Sequence, residues 1–226
     1  MTESRTPQED FWKGTFGDAY IARNQSQELL AANLSFFSRC LVQAGSIGSC
    51  IEFGANVGMN LRALQLLYPK ATLKGVEINA QAASILAQWL GAEHVFVGPI
   101  SAFETDETLD LVLIKGVLIH IHPDHLNEIY SRLYDTSRQW ILIAEYYNPV
   151  PVMIPYRGHN DRLFKRDFAG EMLDRYPDLK LVDYGFAYHR DQAFPQDDIN
   201  WFLLEKVRDR SPLADTHFVV SDRINA

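Results

Sequence analysis

Apolar positions along this chain follow first a helical rhythm and then an alternation of short runs and helical stretches. From Gln25 to Ala44, the residues Leu30, Leu34, Phe37, Leu41 and Ala44 recur at helical spacing, and Gly45 follows as a C-cap. An N-terminal helix is predicted there. Ser49 to Phe53 reads as a first strand, Val57 to Tyr68 as a helix stopped by Pro69, and Thr72 to Ile78 as a second strand. Asn79 then caps a helix running through Leu90 to Gly91. His94 to Val97, Leu109 to Ile114 and Trp140 to Ala144 continue as strands, and the helix from Asp124 to Tyr134 carries Leu126, Ile129, Tyr130 and Leu133 on one face. Such alternation implies a parallel sheet covered on both sides. Beyond a charged segment with a helix expected over Asp161 to Asp174, Lys180 to Tyr188 and Ile199 to Lys206 leave no room for a crossover helix and should pair antiparallel. The expected fold is α/β: a three-layer Rossmann-like sheet of seven strands, five parallel plus an antiparallel terminal hairpin, with helices on both faces.

The first strand ends in Cys50-Ile-Glu-Phe-Gly-Ala-Asn-Val-Gly58, where glycine lets the chain turn sharply and approach a ligand closely. A nucleotide-type cofactor site follows. The spacing Gly54-x-x-x-Gly58 sets Asn56 where a dinucleotide fingerprint has its second glycine, and Glu52 would repel a pyrophosphate at the following helix. S-adenosylmethionine has no phosphate and carries a sulfonium and an ammonium that a carboxylate favours. Glu77, 19 residues past Gly58, stands where an acidic side chain accepts both ribose hydroxyls.

Composition narrows the class further. The chain of 226 residues is 47% hydrophobic and 22% charged, ordinary for one well-buried globular domain. Its parts read as a cap and helix over 1–45, a cofactor-binding core over 46–148, an insertion over 149–178, the hairpin over 179–206 and a tail over 207–226. A net charge of -8 offers no footprint for nucleic acid, and no run is long enough to span a membrane. A soluble cytoplasmic protein is expected. Cys40 and Cys50 read as small buried hydrophobes. His120, His122 and His125 lack a fourth ligand at matching spacing, so no metal is expected, and His122 or Asp124 reads as a helix cap. Asp197 and Asp198 read as a turn with strand-edge charges.

Residues leaving the carboxyl ends of the strands should face one crevice: Gly54 to Gly58, Glu77 to Asn79, Gly98 to Ser101, Lys115 to His122 and Glu145 to Asn148. Five parallel strands with an antiparallel hairpin, together with Glu52-x-Gly54 and Glu77, resemble the class I methyltransferases. That resemblance implies that Glu52, Gly54, Asn56 and Gly58 cradle the amino-acid end of S-adenosylmethionine, that Glu77 and Ile78 meet the ribose, and that Ile100 and Ser101 flank adenine. Lys115 would meet the methionine carboxylate. In the aromatic stretch Phe11 to Asn24, Tyr20 and Arg23 can close over that end, with an aromatic flap on the core as the plainer reading. His120 falls at the methyl-transfer chamber, either as the general base for a hydroxyl nucleophile or as its wall.

Tyr146, Tyr147 and Asn148 follow the fifth strand and read as the floor of an acceptor pocket. An Asn-Pro step there is misplaced for gripping a nucleobase. The insertion concentrates Arg157, Arg162, Lys165 and Arg166, with His159 among them, in an otherwise acidic chain. Arginine forks suit carboxylate or phosphate, which points to an anionic small-molecule acceptor, while a salt-bridged helix face is the plainer alternative. The blocks Glu52 to Gly58, Lys115 to Ile121, Glu145 to Pro149, Tyr156 to Glu171 and Phe194 to Lys206 are similar to the methylases associated with pseudaminic acid biosynthesis. That likeness implies an acidic sugar, its nucleotide-linked form or a precursor as the acceptor.

Overall fold

The computed structural model describes residues 6–21, 25–156 and 159–207, with the backbone alone at 156 and 159–162. Seven strands form one sheet: β1 (Ser49–Phe53), β2 (Thr72–Glu77), β3 (Val95–Val97), β4 (Leu109–Lys115), β5 (Ser137–Glu145), β8 (Leu179–Ala187) and β9 (Ile199–Lys206). Their order is β3-β2-β1-β4-β5-β9-β8, parallel from β3 through β5, with β9 antiparallel to both of its neighbours. The predicted seven strands and their pairing are thus present. A second sheet of two antiparallel strands, β6 (Val152–Tyr156) and β7 (His159–Lys165), stands apart from it.

Strands β1 and β4 are central because their apolar residues are buried on both faces. One face packs Cys50, Leu111, Leu113 and Leu142 against α3 (Gln27–Cys40), α4 (Met59–Leu67) and α5 (Ala80–Leu90), through Phe36, Phe37, Leu64 and Leu86. The other packs Ile51, Phe53, Val112, Ile114 and Ile143 against α6 (Leu126–Thr136) and α7 (Phe168–Arg175), through Tyr130, Leu133, Phe168 and Met172. Truncating a fully buried phenylalanine such as Phe37 costs about 3–5 kcal/mol.

Helix starts are set locally. Ser26 accepts the N–H of Leu29 at the head of α3, and Asn79 accepts those of Gln81 and Ala82 at the head of α5. The helix expected from Val57 begins at Met59, because Gly58, at φ 84°, is not helical. The helix expected from Asp124 begins at Leu126, after a 3-10 turn over Pro123–His125 that His122 caps.

The helix expected over Asp161 to Asp174 is corrected. Residues through Lys165 pair with Val152 to Tyr156 as a hairpin, and α7 starts only where Asp167 accepts the N–H of Gly170 at 2.8 Å. Two short helices, α1 (Pro7–Lys13) and α2 (Thr15–Ile21), occupy the aromatic leader ahead of α3. Among the described residues, no helix is long and apolar enough to cross a membrane.

Candidate active site

Strand β1 has β2 on one side and β4 on the other, and chains leaving them in opposite directions open a crevice at their carboxyl ends. A cavity of about 310 Å³ occupies it. The turn after β1 forms its floor through Gly54, at φ 81°, and Asn56, at φ 48°, and ends at Gly58, at φ 84°. A Cβ on Gly54 would collide with the side chain of Val117, so glycine is required by space as well as by φ. The side chain of Asn56 accepts the N–H of Val57 at 2.7 Å, which fixes the turn locally.

Glu77, at the end of β2, holds this turn to the next one. Its Oε2 accepts the N–H of Asn56 and its Oε1 that of Asn79, each at 2.7 Å. Burial pushes its carboxyl pKa up, while the N–H groups of Asn79, Asn56 and Ile78 pull it down. Glu77 and Ile78 both line the cavity. Beyond them, Gly98, Pro99, Ile100 and Ser101 form one end wall. The buried hydroxyl of Ser101 has no hydrogen-bond partner among the described residues, so it is free to meet a ligand's edge.

Glu52 departs from its expected position. It is fully buried behind the turn rather than on the cavity wall, and Asn60, which does line the cavity, donates to its Oε1 at 2.5 Å. Burial raises its pKa to about 8, against the pull of Asn60 and Lys115, so the carboxyl is largely protonated at neutral pH. It does not present the negative charge expected of it. Gly58 likewise lies behind the cavity, its Cα facing Leu86 and Trp89.

Lys115, at the end of β4, lines the cavity with its ammonium 5.7 Å from the ring centre of Phe36. Burial lowers its pKa, and the carboxylate of Asp197, foremost among the neighbouring acids, acts in the opposite direction. Glu145 is buried at the end of β5, and its Oε1 accepts the N–H groups of Val117 and Leu118 at 2.8 Å. It thereby seats the 3-10 turn Leu118–His120 that carries His120. The His120 ring lies 4.7 Å from that of Trp12, and both residues line the cavity.

The other predicted acceptor residues divide. Tyr146 lines the cavity, with the ammonium of Lys165 4.9 Å from its ring centre. Tyr147 and Asn148 are corrected, because they turn away: the first packs near Phe202, and the second donates to the carbonyl of Val150. Arg166 is held by Glu171 at 2.5 Å, which in turn accepts the Tyr130 hydroxyl, so the salt-bridged alternative describes it. Arg23 and Arg157 lie outside the described residues, as do the side chains of His159 and Arg162. Tyr20 lines the cavity from α2, its ring edge-on to Trp12.

Several cavity residues escaped the sequence reading. Trp12 sits on a lid of α1 and α2 that Asn79 anchors, its side-chain amide donating to the carbonyl of Trp12 and to Asp18. Asn33, Gln196 and Asp197 close the end near Lys115, and Leu163 of β7 walls the end near His120. Asn79 was expected as a helix cap and in the crevice, but its hold on this lid was not foreseen. Among the described residues, no three His, Cys, Asp or Glu side chains converge as a metal site.

This arrangement of strands, turns and cavity recurs in solved structures. A Burkholderia thailandensis 1,6-didemethyltoxoflavin-N1-methyltransferase, with 1,6-didemethyltoxoflavin and S-adenosylhomocysteine bound, superposes with a TM-score of 0.66 at 21% identity, over 92% of this chain and 93% of that one. The chain has the class I methyltransferase fold. The Synechocystis PCC 6803 magnesium protoporphyrin IX methyltransferase, with S-adenosylmethionine bound, matches this fold with a TM-score of 0.62 at 12% identity over 91% and 100% of the chains. A plantazolicin methyltransferase in complex with S-adenosylhomocysteine matches it with a TM-score of 0.60 at 14% identity over 89% and 94%. No protein-family model matches the sequence, and no curated protein does.

Proposed function

We propose that the chain is an S-adenosylmethionine-dependent methyltransferase acting on an anionic small molecule. The observation that carries the reading is Glu77: a carboxylate whose oxygens are aimed by two backbone N–H groups, on the wall of a cavity floored by a glycine turn, in a methyltransferase fold. Each oxygen keeps a lone pair for a ribose hydroxyl. Ile100 and Ser101 would then take adenine, the Gly54 turn and Asn56 the thioether region, and Lys115 the far end. Tyr20 and Trp12 close the lid over it.

Methyl transfer needs the acceptor in line with the sulfonium carbon. The acceptor's lone pair forms the new bond to carbon as the carbon–sulfur bond breaks, and the sulfur keeps that electron pair in S-adenosylhomocysteine. Alignment supplies most of the rate in such a step. The acceptor end of the cavity, bounded by Trp12, His120, Tyr146 and Leu163, provides the walls for it. His120 is positioned to take the proton of a hydroxyl acceptor, and an amine or carboxylate acceptor would need it only as a wall.

The finer reading is that the acceptor is an acidic sugar or its nucleotide-linked form, in pseudaminic acid or surface-glycan biosynthesis. Its support is the sequence likeness over Tyr156 to Glu171, together with the placement of Leu163, from that same segment, on the cavity wall. Incubating the purified chain with S-adenosylmethionine and nonulosonic acid intermediates, and following S-adenosylhomocysteine release with the product's gain of one methyl mass, tests it. Release with a different metabolite would keep the enzyme and replace the acceptor. Cofactor binding without release on any acceptor tried would favour a non-catalytic binding protein.

A further inference from the structure

The chain between β4 and α6 brings three histidines to the acceptor end of the cavity: His120, His122 and His125 all line it, with Ile129 of α6 and Leu163 of β7. Only His120 has a part in the chemistry described above. Capping a 3-10 turn accounts for one nitrogen of His122 and for nothing in His125.

The His122 ring is held from three sides. It lies 5.8 Å from the ring of Phe164 on β7 and 6.2 Å from that of His125, edge-on to each. Its Nδ1 accepts the N–H of Asp124 at 3.4 Å, so the neutral ring carries its proton on Nε2 and remains a donor. Protonated, it keeps that donor and gains a charge, with the Asp124 carboxylate 3.6 Å from Nδ1. Ring centres 6.2 Å apart are spaced for one N–H from each imidazole to meet a single group with two oxygens, each bond spanning about 2.9 Å.

An anionic acceptor needs donors at this end, and the cations of the charged insertion are engaged where they are described. Arg166 is taken by Glu171, and the Lys165 ammonium lies over the Tyr146 ring. We propose that His122 and His125 bind the anionic group of the acceptor, a carboxylate or a phosphate, while His120 faces the atom that receives the methyl group. The inference rests on the anionic-acceptor reading above. Glu9 of α1 lines the same cavity, so the pair selects an anion by placed N–H donors rather than by a generally positive field. The histidine cluster that fails as a metal site thereby becomes the specificity element of the acceptor pocket.

Titrating the full chain, in the presence of S-adenosylhomocysteine, with inorganic phosphate and separately with acetate at fixed pH and ionic strength, and following the ring resonances of its seven histidines by NMR, tests this. The pair predicts saturable shifts at His122 and His125 with at least one anion. Phosphate alone would select a phosphorylated acceptor, and acetate alone a carboxylate. In His122→Asn, which keeps a side-chain acceptor for the Asp124 N–H, the affinity read at His125 should fall about tenfold or more. No saturable shift with either anion, or equal affinity in the variant, would overturn the pair. Turnover separates it from the reading on which it rests: methyl transfer to an anionic acceptor with a KM unchanged in His122→Asn refutes the pair alone, and methyl transfer to uncharged acceptors only removes both.

Discussion

Glu77 joins the turn after β1 to the start of α5 by accepting the backbone N–H of Asn56 on one oxygen and that of Asn79 on the other, both at 2.7 Å. Replacing it by glutamine leaves one N–H facing an amide donor. Glu77→Gln should therefore lower stability by about 1–3 kcal/mol and weaken S-adenosylhomocysteine binding at least tenfold. Urea denaturation and calorimetry measure the two effects separately. An unchanged dissociation constant in the folded variant would remove the ribose role.

Gly54 meets two constraints at once, a φ of 81° and the side chain of Val117 against its Cα. Gly54→Ala combines left-handed strain with overpacking, so a loss of about 2–5 kcal/mol is expected from denaturant unfolding. A variant as stable as the parent would show that the turn can relax, and the close approach to a ligand would no longer be dictated by this glycine.

His120 is buried against Trp12 at the acceptor end. If it takes a hydroxyl proton, His120→Ala should lower kcat about a hundredfold or more near neutral pH, with the cofactor's dissociation constant little changed. Activity within a few-fold of the parent would assign the imidazole to the wall and point to an acceptor that needs no base.

Glu52 makes stability depend on pH. Its pKa rises from 4.5 in the unfolded chain to about 8 in the folded protein, so the folded form keeps a proton that the unfolded chain has released. The associated stability is full below about pH 4.5 and is lost as pH rises through about 8. The effect amounts to a few kcal/mol, because each tenfold gain in proton affinity on folding is worth about 1.4 kcal/mol. Glu52→Gln, which stays neutral and can still accept from Asn60, should flatten this fall in thermal unfolding of the ligand-free protein. A variant with the parent's slope would contradict the assignment.

Much of the fold was legible because the buried strands are nearly continuous apolar runs: Ser49 to Phe53 in the parallel part of the sheet and Ile199 to Lys206 in its antiparallel hairpin begin and end where the pattern said. The β6–β7 hairpin was not, since residues 159–165 are polar and charged and their pairing with Val152 to Tyr156 is a tertiary fact. Asp167, with Gly170 three residues on, was the local signal for where α7 begins. In the site, Glu77 and the glycine turn could be read because they are adjacent in a recurrent strand-turn-helix unit. Asp197 could not, because it comes to the cavity from a loop 82 residues after Lys115, and Glu52 was misjudged because alternation puts its carboxyl under the turn, where burial protonates it.

Titrating the purified chain with S-adenosylhomocysteine and, separately, with NAD by isothermal calorimetry tests the central claim most directly. A cavity built on Glu77 for a phosphate-free nucleoside predicts saturable heat with S-adenosylhomocysteine and none with NAD. Tight NAD binding with no heat from S-adenosylhomocysteine would contradict it.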